Sequence, residues 1–353
     1  MENEFRSYGR QPNSPRFRGW KWIFAAIVLF YVVVYMPTPY VIYTPGSAEE
    51  VKPFINVEGG DETEEGTFLL TTVRRTYANL ALIAWRAFDP NAEFGKKEEA
   101  LQGRTEQEYI NEQLFNMSNS QMVAILAAYN QVGIPYKIES EGIYVLFNNK
   151  QLADNEFITN DRIMEVEGQK VNGFDDLQAA LKERTAGETI QAVVEREGKL
   201  VQVKAKLVEL RDQTGSGKQR IGFGLAYGEK KKVVPEDNKH SVTFHESDIG
   251  GPSAGLMFTL ELINRLTPGD LTKGYRIAGT GTIDPSGKVG PIGGVKHKVV
   301  AADREGAVLF LVPSGNYEEA KTKMDKMDTK MKLVQVDTLQ DALEAVKQLQ
   351  PAS

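Results

Sequence analysis

Cysteine is absent from the 353 residues, and histidine occurs only three times. The missing cysteines exclude disulfide bonds, thiolate catalysis and cysteine-bound metals. His240, His245 and His297 alone disfavour a dedicated zinc site, so we expect neither a metal nor another cofactor. Any chemistry must therefore come from hydroxyl groups, carboxylates and amines.

An excess of basic residues is also missing, since 42 lysines and arginines stand against 48 aspartates and glutamates, for a formal net charge of −6. Binding to nucleic acid requires a concentrated basic face that releases counterions from phosphates, so no nucleic-acid partner is expected. The hydrophobic share of 41% and the charged share of 25% are those of a globular protein. The length is sufficient for more than one folded unit.

Charged residues are missing from Trp22 to Ala48, and the stretch Trp22–Met36 is almost purely apolar. Extended slightly, it predicts a transmembrane anchor at residues 22–43, because a spanning helix takes about 20 residues. Basic residues precede it and acidic residues follow it. Residues 1–21 are therefore expected in the cytoplasm and the rest outside it, in a single-pass protein of the cell membrane. A cleaved signal peptide is the alternative, which the lack of a small-residue cleavage site disfavours.

The strand and helix patterns in residues 44–135 predict an extracytoplasmic α/β segment. An acidic, glycine-rich turn separates its first two strands. The predicted elements are strands at Phe54–Val57 and Thr67–Val73, helices around Tyr77–Phe88 and Ser118–Val132, and a charged surface loop at Asp89–Arg104.

Residues 136–210 have a different pattern, of short strands around one helix. A strand at Gly142–Phe147, the block NDRIMEVEG at residues 160–168, and two alternating strands joined at Glu197-Gly198 resemble a PDZ domain. PDZ domains bind an extended peptide as an added strand, and the resemblance implies that the groove starts at Gly142, Ile143, Tyr144 and Val145. A spacer, or a docking surface within the chain, is an equally open interpretation.

A polar stretch at residues 211–220 is interpreted as a linker, and Lys230–Lys232 as a short solvated linker segment. The pair Gly217-Lys218 does not belong to a phosphate-binding loop, because Asp212 stands where glycine is required. ATP-driven unfolding of substrates is therefore not expected.

Residues 221–350 alternate between strand and helix patterns, which predicts a mixed α/β domain around a buried sheet. Its helices are predicted to begin at Pro252, Val295, Tyr317 and Leu339. The loops that lead into these helices are where catalytic residues should be sought.

The stretch Gly250-Gly251-Pro252-Ser253 ends a strand and begins the first of these helices. Glycine permits a tight turn, and the first turn of a helix presents free N–H groups and the positive end of the helix dipole. Ser253 is therefore the candidate nucleophile. The N–H groups of Ser253 and of the Gly250-Gly251 turn are the candidate donors to an oxyanion.

A serine nucleophile needs a base within hydrogen-bond reach, and the sequence shows no evident histidine partner. A second glycine-rich stretch leads into a helix that carries Lys298 directly before the apolar run VVAA. Lys298 thus lies near a buried face, where desolvation lowers the pKa of a lysine. Lys298 is the candidate general base.

The motifs GGPSAG at residues 250–255 and TGTIDPSGKVGPIGG at residues 280–294, with the following lysines, resemble the proteolytic domain of Lon-type serine–lysine dyad proteases. The resemblance implies that Ser253 and Lys298 form the dyad, that Thr280 helps to hold the lysine, and that Lys296 faces solvent. Typical Lon proteases carry an acidic residue three positions before the serine, whereas this chain has Gly250. Lon-like domains often assemble into rings, so a homo-oligomer is an expected partner.

The order of parts resembles the PDZ-containing membrane proteases of Gram-positive bacteria, the group of the SepM type. The expected fold class is α/β, with an α+β Lon-type proteolytic domain, a PDZ domain and an N-terminal transmembrane helix. The implied function is an ATP-independent serine endopeptidase that cleaves secreted or membrane-proximal peptides and proteins outside the cytoplasm. Two alternatives stay open: a membrane-tethered PDZ scaffold with a non-catalytic Lon-like domain, and a Ser–Lys amidase or esterase that acts on wall components.

Overall fold

The structure is a computed structural model that describes residues 16–63, 65–149, 152–211, 219–237 and 239–351. Most of the predicted cytoplasmic segment 1–21 and most of the predicted linker 211–220 lie outside the described residues. The chain forms two compact units, one from residues 1–44 and 75–100 and the other from residues 45–74 and 101–353.

The described strands alternate with helices along much of the chain. The strands are β1 (Pro37–Glu50), β2 (Ile55–Val57), β3 (Thr67–Asn79), β4 (Glu93–Lys96), β5 (Tyr136–Asn148), β6 (Arg162–Val166), β7 (Gln169–Lys170), β8 (Thr189–Arg196), β9 (Lys199–Lys206), β10 (Val208–Arg211), β11 (Gln219–Gly222), β12 (Leu225–Pro235), β13 (Val242–Phe244), β14 (Arg276–Gly279), β15 (Thr282–Ile283), β16 (Val289–Gly290), β17 (Leu309–Pro313) and β18 (Lys332–Val336). The helices are α1 (Arg16–Tyr35), α2 (Leu80–Arg86), α3 (Lys97–Leu101), α4 (Glu106–Val132), α5 (Phe174–Leu181), α6 (Gly255–Leu266), α7 (Val295–Arg304), α8 (Ser314–Met324) and α9 (Leu339–Lys347), with 3-10 turns at Lys52–Phe54 and Pro252–Ala254.

In the smaller unit, helix α1 ends at Tyr35 and strand β1 begins at Pro37. Residues 37–43, predicted as the end of the anchor, are therefore extended, and Tyr40–Tyr43 pair antiparallel with β4. A proline has no N–H to donate and disfavours helix at the residue before it, which explains why the helix ends there. None of the helices in the described part of the chain has both the length and the apolar character that crossing a bilayer requires.

The stretch Asp89–Arg104, predicted as a charged surface loop, contains strand β4 and helix α3. Most of its side chains are exposed or only half-buried. A short element with few buried side chains lacks the apolar periodicity by which sequence patterns identify strands and helices. The charged composition therefore indicated exposure correctly but not secondary structure.

The larger unit contains a sheet of order β18-β17-β14-β3-β1, in which β3, β14, β17 and β18 run parallel. Successive side chains of a strand point to opposite faces. Phe68 and Leu70 pack in a core with helices α4, α6 and α9, whereas Leu69 and Ala278 pack with α7 and α8. The sheet is therefore covered by helices on both faces, as parallel sheets usually are.

A second sheet, of order β12-β5-β6-β8-β9, surrounds a separate core that includes Ile143 and Phe157. The predicted hairpin is confirmed, because β8 pairs with β9 through Glu197 and Gly198, which have φ angles of 50° and 74°. Strand β12 also belongs to this sheet, although the proteolytic domain was predicted to begin at residue 221. Its Lys230–Lys232 run is exposed on an outer strand rather than in a linker. Lysines are common on such strands because they discourage pairing with other chains.

Candidate active site

Ser253 lies in the 3-10 turn that leads into helix α6, and we call Gly250–Ser253 the nucleophile loop. Gly251 has a φ of 92°, a conformation that glycine adopts without a steric penalty. The Ser253 carbonyl accepts hydrogen bonds from the Gly281 N–H at 2.9 Å and from the Thr280 hydroxyl at 3.0 Å. Both donors directly follow strand β14, so the loop is fixed at the carboxyl end of a central parallel strand, where α/β sheets place their sites.

Lys298 lies one turn into helix α7, which begins after Gly294 at a φ of 71°. Val295, Val299 and Ala302 share its buried face at helical spacing, and Lys298 itself is only 3% exposed. Its Nζ lies 2.6 Å from the Ser253 Oγ. The structure thus brings together the two helix-entry loops that the sequence singled out.

Thr280 determines how the amine of Lys298 is oriented. The Thr280 hydroxyl donates a hydrogen bond to the Ser253 carbonyl. Its Oγ1 therefore acts as the acceptor of the hydrogen bond from the Lys298 Nζ at 2.9 Å. A neutral amine has two N–H donors and one lone pair. With one N–H directed to Thr280, the lone pair remains available to the Ser253 hydroxyl.

Burial lowers the pKa of Lys298 from 10.5 to about 7. The physical cause is desolvation, which disfavours the charged ammonium in a low-dielectric interior. About half of the lysine is therefore neutral near pH 7, and this fraction can accept a proton from a hydroxyl.

Helix α4 lies against the nucleophile loop and changes the predicted oxyanion donors. The Gly251 N–H donates to the Gln113 carbonyl at 2.8 Å. It is therefore not available to an oxyanion in this conformation, so the prediction that the glycine turn supplies this N–H is wrong for Gly251. The N–H of Ser253 stays the candidate donor.

The same contact explains why Gly250 replaces the acidic residue that is typical of Lon proteases. A Cβ at Gly250 would lie 2.7 Å from the Cβ of Gln113, closer than real Cβ contacts. A larger side chain at this position would displace either the loop or helix α4. Glycine is thus required for the helix to approach the loop.

A cleft of about 330 Å³ lies beside the nucleophile, and Ser253 is half-buried at its wall. Apolar and small residues form most of the lining. They are Pro252, Ser253, Thr282, Pro291, Ile292 and Gly293. The cleft has room for one apolar side chain next to Ser253.

Lys296, His245 and His297 lie outside the pair formed by Ser253 and Lys298. Lys296 is 44% exposed at its side chain, and its Nζ lies 3.3 Å from the Glu319 carboxylate. His245 is exposed, whereas His297 is buried on helix α7. Within the described ranges, no three His, Asp or Glu side chains are grouped so that they could hold a metal ion.

The predicted peptide groove does not have an open edge. Gly142, Ile143, Tyr144 and Val145 lie inside strand β5 and pair with β12 along their length. Ile143 and Tyr144 also pair with β6 on the other side. Strand addition at these residues is therefore incompatible with the structure. The outer strand is β12, which sequence reasoning missed because its lysine run was assigned to a linker, although lysines on an alternating strand are a known edge signal.

Comparisons with known proteins agree with two domains. Residues 231–348 match the Lon protease (S16) C-terminal proteolytic domain, and residues 131–207 match the PDZ domain. The first match begins inside strand β12, which the structure pairs with the PDZ sheet.

Curated Lon proteases match part of the chain. The Lon protease of Phenylobacterium zucineum is 36% identical over 113 residues, which are 29% of this chain and 14% of that protein. The Lon protease of Fervidobacterium nodosum is 36% identical over 134 residues, which are 35% of this chain and 16% of that protein. The chain thus spans only a small part of the length of the curated relatives that it matches.

Among solved structures, the PDZ domain of an SdrC-like protein from Listeria monocytogenes is similar, with 20% identity and a TM-score of 0.21. The match covers 25% of this chain and 87% of that domain. By the two family matches alone, the chain carries a PDZ domain at residues 131–207 and a C-terminal proteolytic domain of the Lon (S16) serine peptidase type at residues 231–348.

Proposed function

We propose that this protein is an ATP-independent serine endopeptidase in which Ser253 and Lys298 form the catalytic dyad. The observation that carries the proposal is the 2.6 Å separation of the Lys298 Nζ and the Ser253 Oγ, with the lysine only 3% exposed. A structural lysine would carry its charge to solvent or to a carboxylate. A buried amine against a half-exposed hydroxyl instead suits nucleophile activation.

The reaction proceeds in two steps. Neutral Lys298 takes the Ser253 proton while Oγ forms a bond to the substrate carbonyl carbon, and the Ser253 N–H stabilises the resulting oxyanion. The C–N bond then breaks, and Lys298 returns the proton to the leaving amine. Water, deprotonated by the same lysine, hydrolyses the acyl-enzyme and restores Ser253.

Extended or unstructured peptides and proteins are the proposed substrates. The sequence carries no phosphate-binding loop that would support ATP-driven unfolding. Strand β12 favours capture of such a chain, because an outer strand can pair with an added peptide. A cleft of about 400 Å³ between β12 and the start of α5 supports this proposal, with Gly173, Phe174, Glu229 and Lys231 among its lining residues.

We further propose that helix α1 holds the chain at the cell membrane and that the proteolytic domain acts outside the cytoplasm, as in PDZ-containing membrane proteases of Gram-positive bacteria. Ten or more apolar and aromatic side chains of this helix are exposed, including Trp22 at 76% and Leu29 at 63%. A helix that is apolar on all sides is stable only when covered by protein or lipid. Release of the full chain from membranes by alkaline carbonate would contradict this attachment. The proposed homo-oligomer is a separate question, which sizing of the detergent-solubilised chain tests.

Cleavage of a peptide library tests the activity. Wild type, Ser253→Ala, Lys298→Ala and Lys296→Ala are compared as full chains, with melting temperatures as a check on folding. We expect the first two variants to lose cleavage and Lys296→Ala to retain it. A folded Ser253→Ala chain that cleaves as fast as wild type would exclude the dyad, and a wild type that binds peptides without cleaving them would favour the scaffold function.

A further inference from the structure

Helix α4 holds the residue that precedes the nucleophile. The Ser120 hydroxyl donates a hydrogen bond to the Pro252 carbonyl at 3.0 Å, and Ser120 is 6% exposed. A serine inside a helix commonly bonds to the carbonyl one turn back in its own helix. Ser120 instead bonds to a carbonyl 132 positions away in the chain. This helix lies outside the match to the Lon proteolytic domain, which begins at residue 231.

The Pro252 carbonyl and the Ser253 N–H belong to one peptide unit. A trans peptide is planar, and its C=O and N–H point in opposite directions. Fixing the carbonyl on Ser120 therefore turns the Ser253 N–H away from helix α4. The neighbouring Gly251 N–H is already bonded to helix α4, so the Ser253 N–H is the donor whose direction matters for catalysis.

Glycine at position 255 leaves room for the contact between Ser120 and the Pro252 carbonyl. A Cβ at Gly255 would lie 2.9 Å from the Ser120 Oγ, so a side chain there would push the hydroxyl aside. Gly255 has a φ of −53°, which any residue can adopt. Backbone conformation therefore does not require glycine at this position, whereas the close approach of Ser120 does, together with that of the Ile283 Cγ2 at 3.2 Å.

We propose that Ser120 is a positioning residue, which holds the Pro252–Ser253 peptide so that the Ser253 N–H faces the oxyanion. The inference rests on the proposed peptidase function. The Gly255 N–H also donates to the Pro252 carbonyl within the 3-10 turn, so Ser120 is the second of two donors to it. Without the Ser120 hydroxyl, the Pro252–Ser253 peptide keeps one donor and can tilt about the ψ of Pro252 and the φ of Ser253. Loss of one oxyanion donor lowers kcat roughly 100-fold to 1,000-fold. A donor that is only misdirected part of the time should lower kcat roughly 10-fold to 100-fold.

Ser120→Ala in the full chain tests the role, and Ser118→Ala is the matched control. It makes the same change about half a turn away on the same helix. We expect Ser120→Ala to lower kcat roughly 10-fold to 100-fold while KM changes less than about twofold, because the oxyanion forms only in the transition state. Ser120→Thr, which keeps the hydroxyl, should recover most of the activity. Ser120→Ala should melt within a few degrees of Ser118→Ala, because one lost hydrogen bond costs about 1 kcal/mol.

A peptide boronate provides a second readout. It adds to the Ser253 Oγ and places a boron-bound oxygen where the oxyanion would lie. Its affinity for Ser120→Ala should fall by the same factor as kcat, whereas the affinity of the peptide substrate should not change. A merely structural role would instead alter the affinities for the boronate and for the substrate alike.

The outcomes separate this inference from the proposed function. Ser253-dependent cleavage by wild type, together with Ser120→Ala kinetics equal to those of Ser118→Ala, would overturn the role of Ser120 alone. Failure of Ser120→Thr to recover activity would overturn it as well. Cleavage that does not depend on Ser253 would overturn both.

Discussion

Protonation of Lys298 should control the rate of peptide cleavage around neutral pH. Only the neutral amine accepts the Ser253 proton, and burial lowers the pKa of Lys298 to about 7. The neutral fraction is then about 10% at pH 6, about 50% at pH 7 and about 90% at pH 8. We therefore expect kcat/KM to rise roughly tenfold from pH 6 to pH 8 and then to level off, since kcat/KM reports the free enzyme.

The assay uses a short peptide substrate without a group that titrates in this pH range, at constant ionic strength. Two control variants test which group causes the bend in the plot of kcat/KM against pH. Lys296→Ala removes an exposed lysine two positions earlier on helix α7, and His245→Gln removes an exposed histidine before the nucleophile loop. Histidine is the residue type that commonly changes charge in this pH range, which is the reason for the second control. Both variants should keep the bend at the pH of wild type.

Two results would refute this reasoning. A bend near the ordinary lysine pKa of about 10 would mean that burial does not activate the amine. Displacement or loss of the bend in His245→Gln would assign it to the histidine. Either result, with Ser253 still essential, would leave a serine peptidase whose base is not the amine described above.

Replacing Lys298 by methionine should abolish cleavage yet stabilise the fold at pH 7. A pKa that falls from 10.5 to about 7 corresponds to a burial cost of about 5 kcal/mol, of which the two lost hydrogen bonds offset about 2 kcal/mol. Between these pKa values the unfolded chain binds one more proton than the folded chain, so wild type gains stability from pH 7 to pH 10.5. The difference in melting temperature between the variant and wild type should therefore shrink over that range. A constant difference would show that the burial of the lysine charge is not what destabilises wild type. Gly250→Asp should lower kcat/KM about 100-fold by displacing the nucleophile loop from helix α4, and an unchanged rate would show that the loop tolerates a side chain. Gly228→Ala should lower the melting temperature because its Cβ would overlap the ring of Phe115, and Phe115→Leu in the same chain should recover part of the loss.

The two residues of the proposed dyad could be singled out from the sequence because the signals around them are local. Ser253 and Lys298 each follow a glycine-rich turn at the start of a helix, and such starts are readable from residue types alone. The predicted helix starts at Val295 and Leu339 are confirmed. That the two helices meet could not be derived from spacing. It depends on the parallel order of β3, β14 and β17, which brings their carboxyl ends together.

Strand β12 shows where sequence reasoning failed. Its partner β5 lies about 80 residues earlier in the chain, and nothing local in Lys230–Lys232 reveals that pairing. The contact of Gln113 with Gly251 was missed for a similar reason, because it joins a backbone carbonyl to a backbone N–H. Backbone groups carry no residue-type signal. A prediction of oxyanion donors from a glycine pair therefore cannot tell which N–H is already bonded.

One chain of hydrogen bonds links Lys298, the proposed base, to Ser253, the proposed nucleophile. The Lys298 amine donates to Thr280, Thr280 donates to the Ser253 carbonyl, and Gly281 donates to the same carbonyl. The group that orients the lone pair of the base is thus also tied to the backbone that carries the nucleophile. A shift of Ser253 would therefore move Thr280 with it, which keeps the Lys298 amine within hydrogen-bond distance of the Ser253 hydroxyl. Since the lysine has no charged partner in this chain of contacts, its neutrality depends on burial alone, and a change that admits water to Lys298 should raise its pKa and weaken catalysis near pH 7.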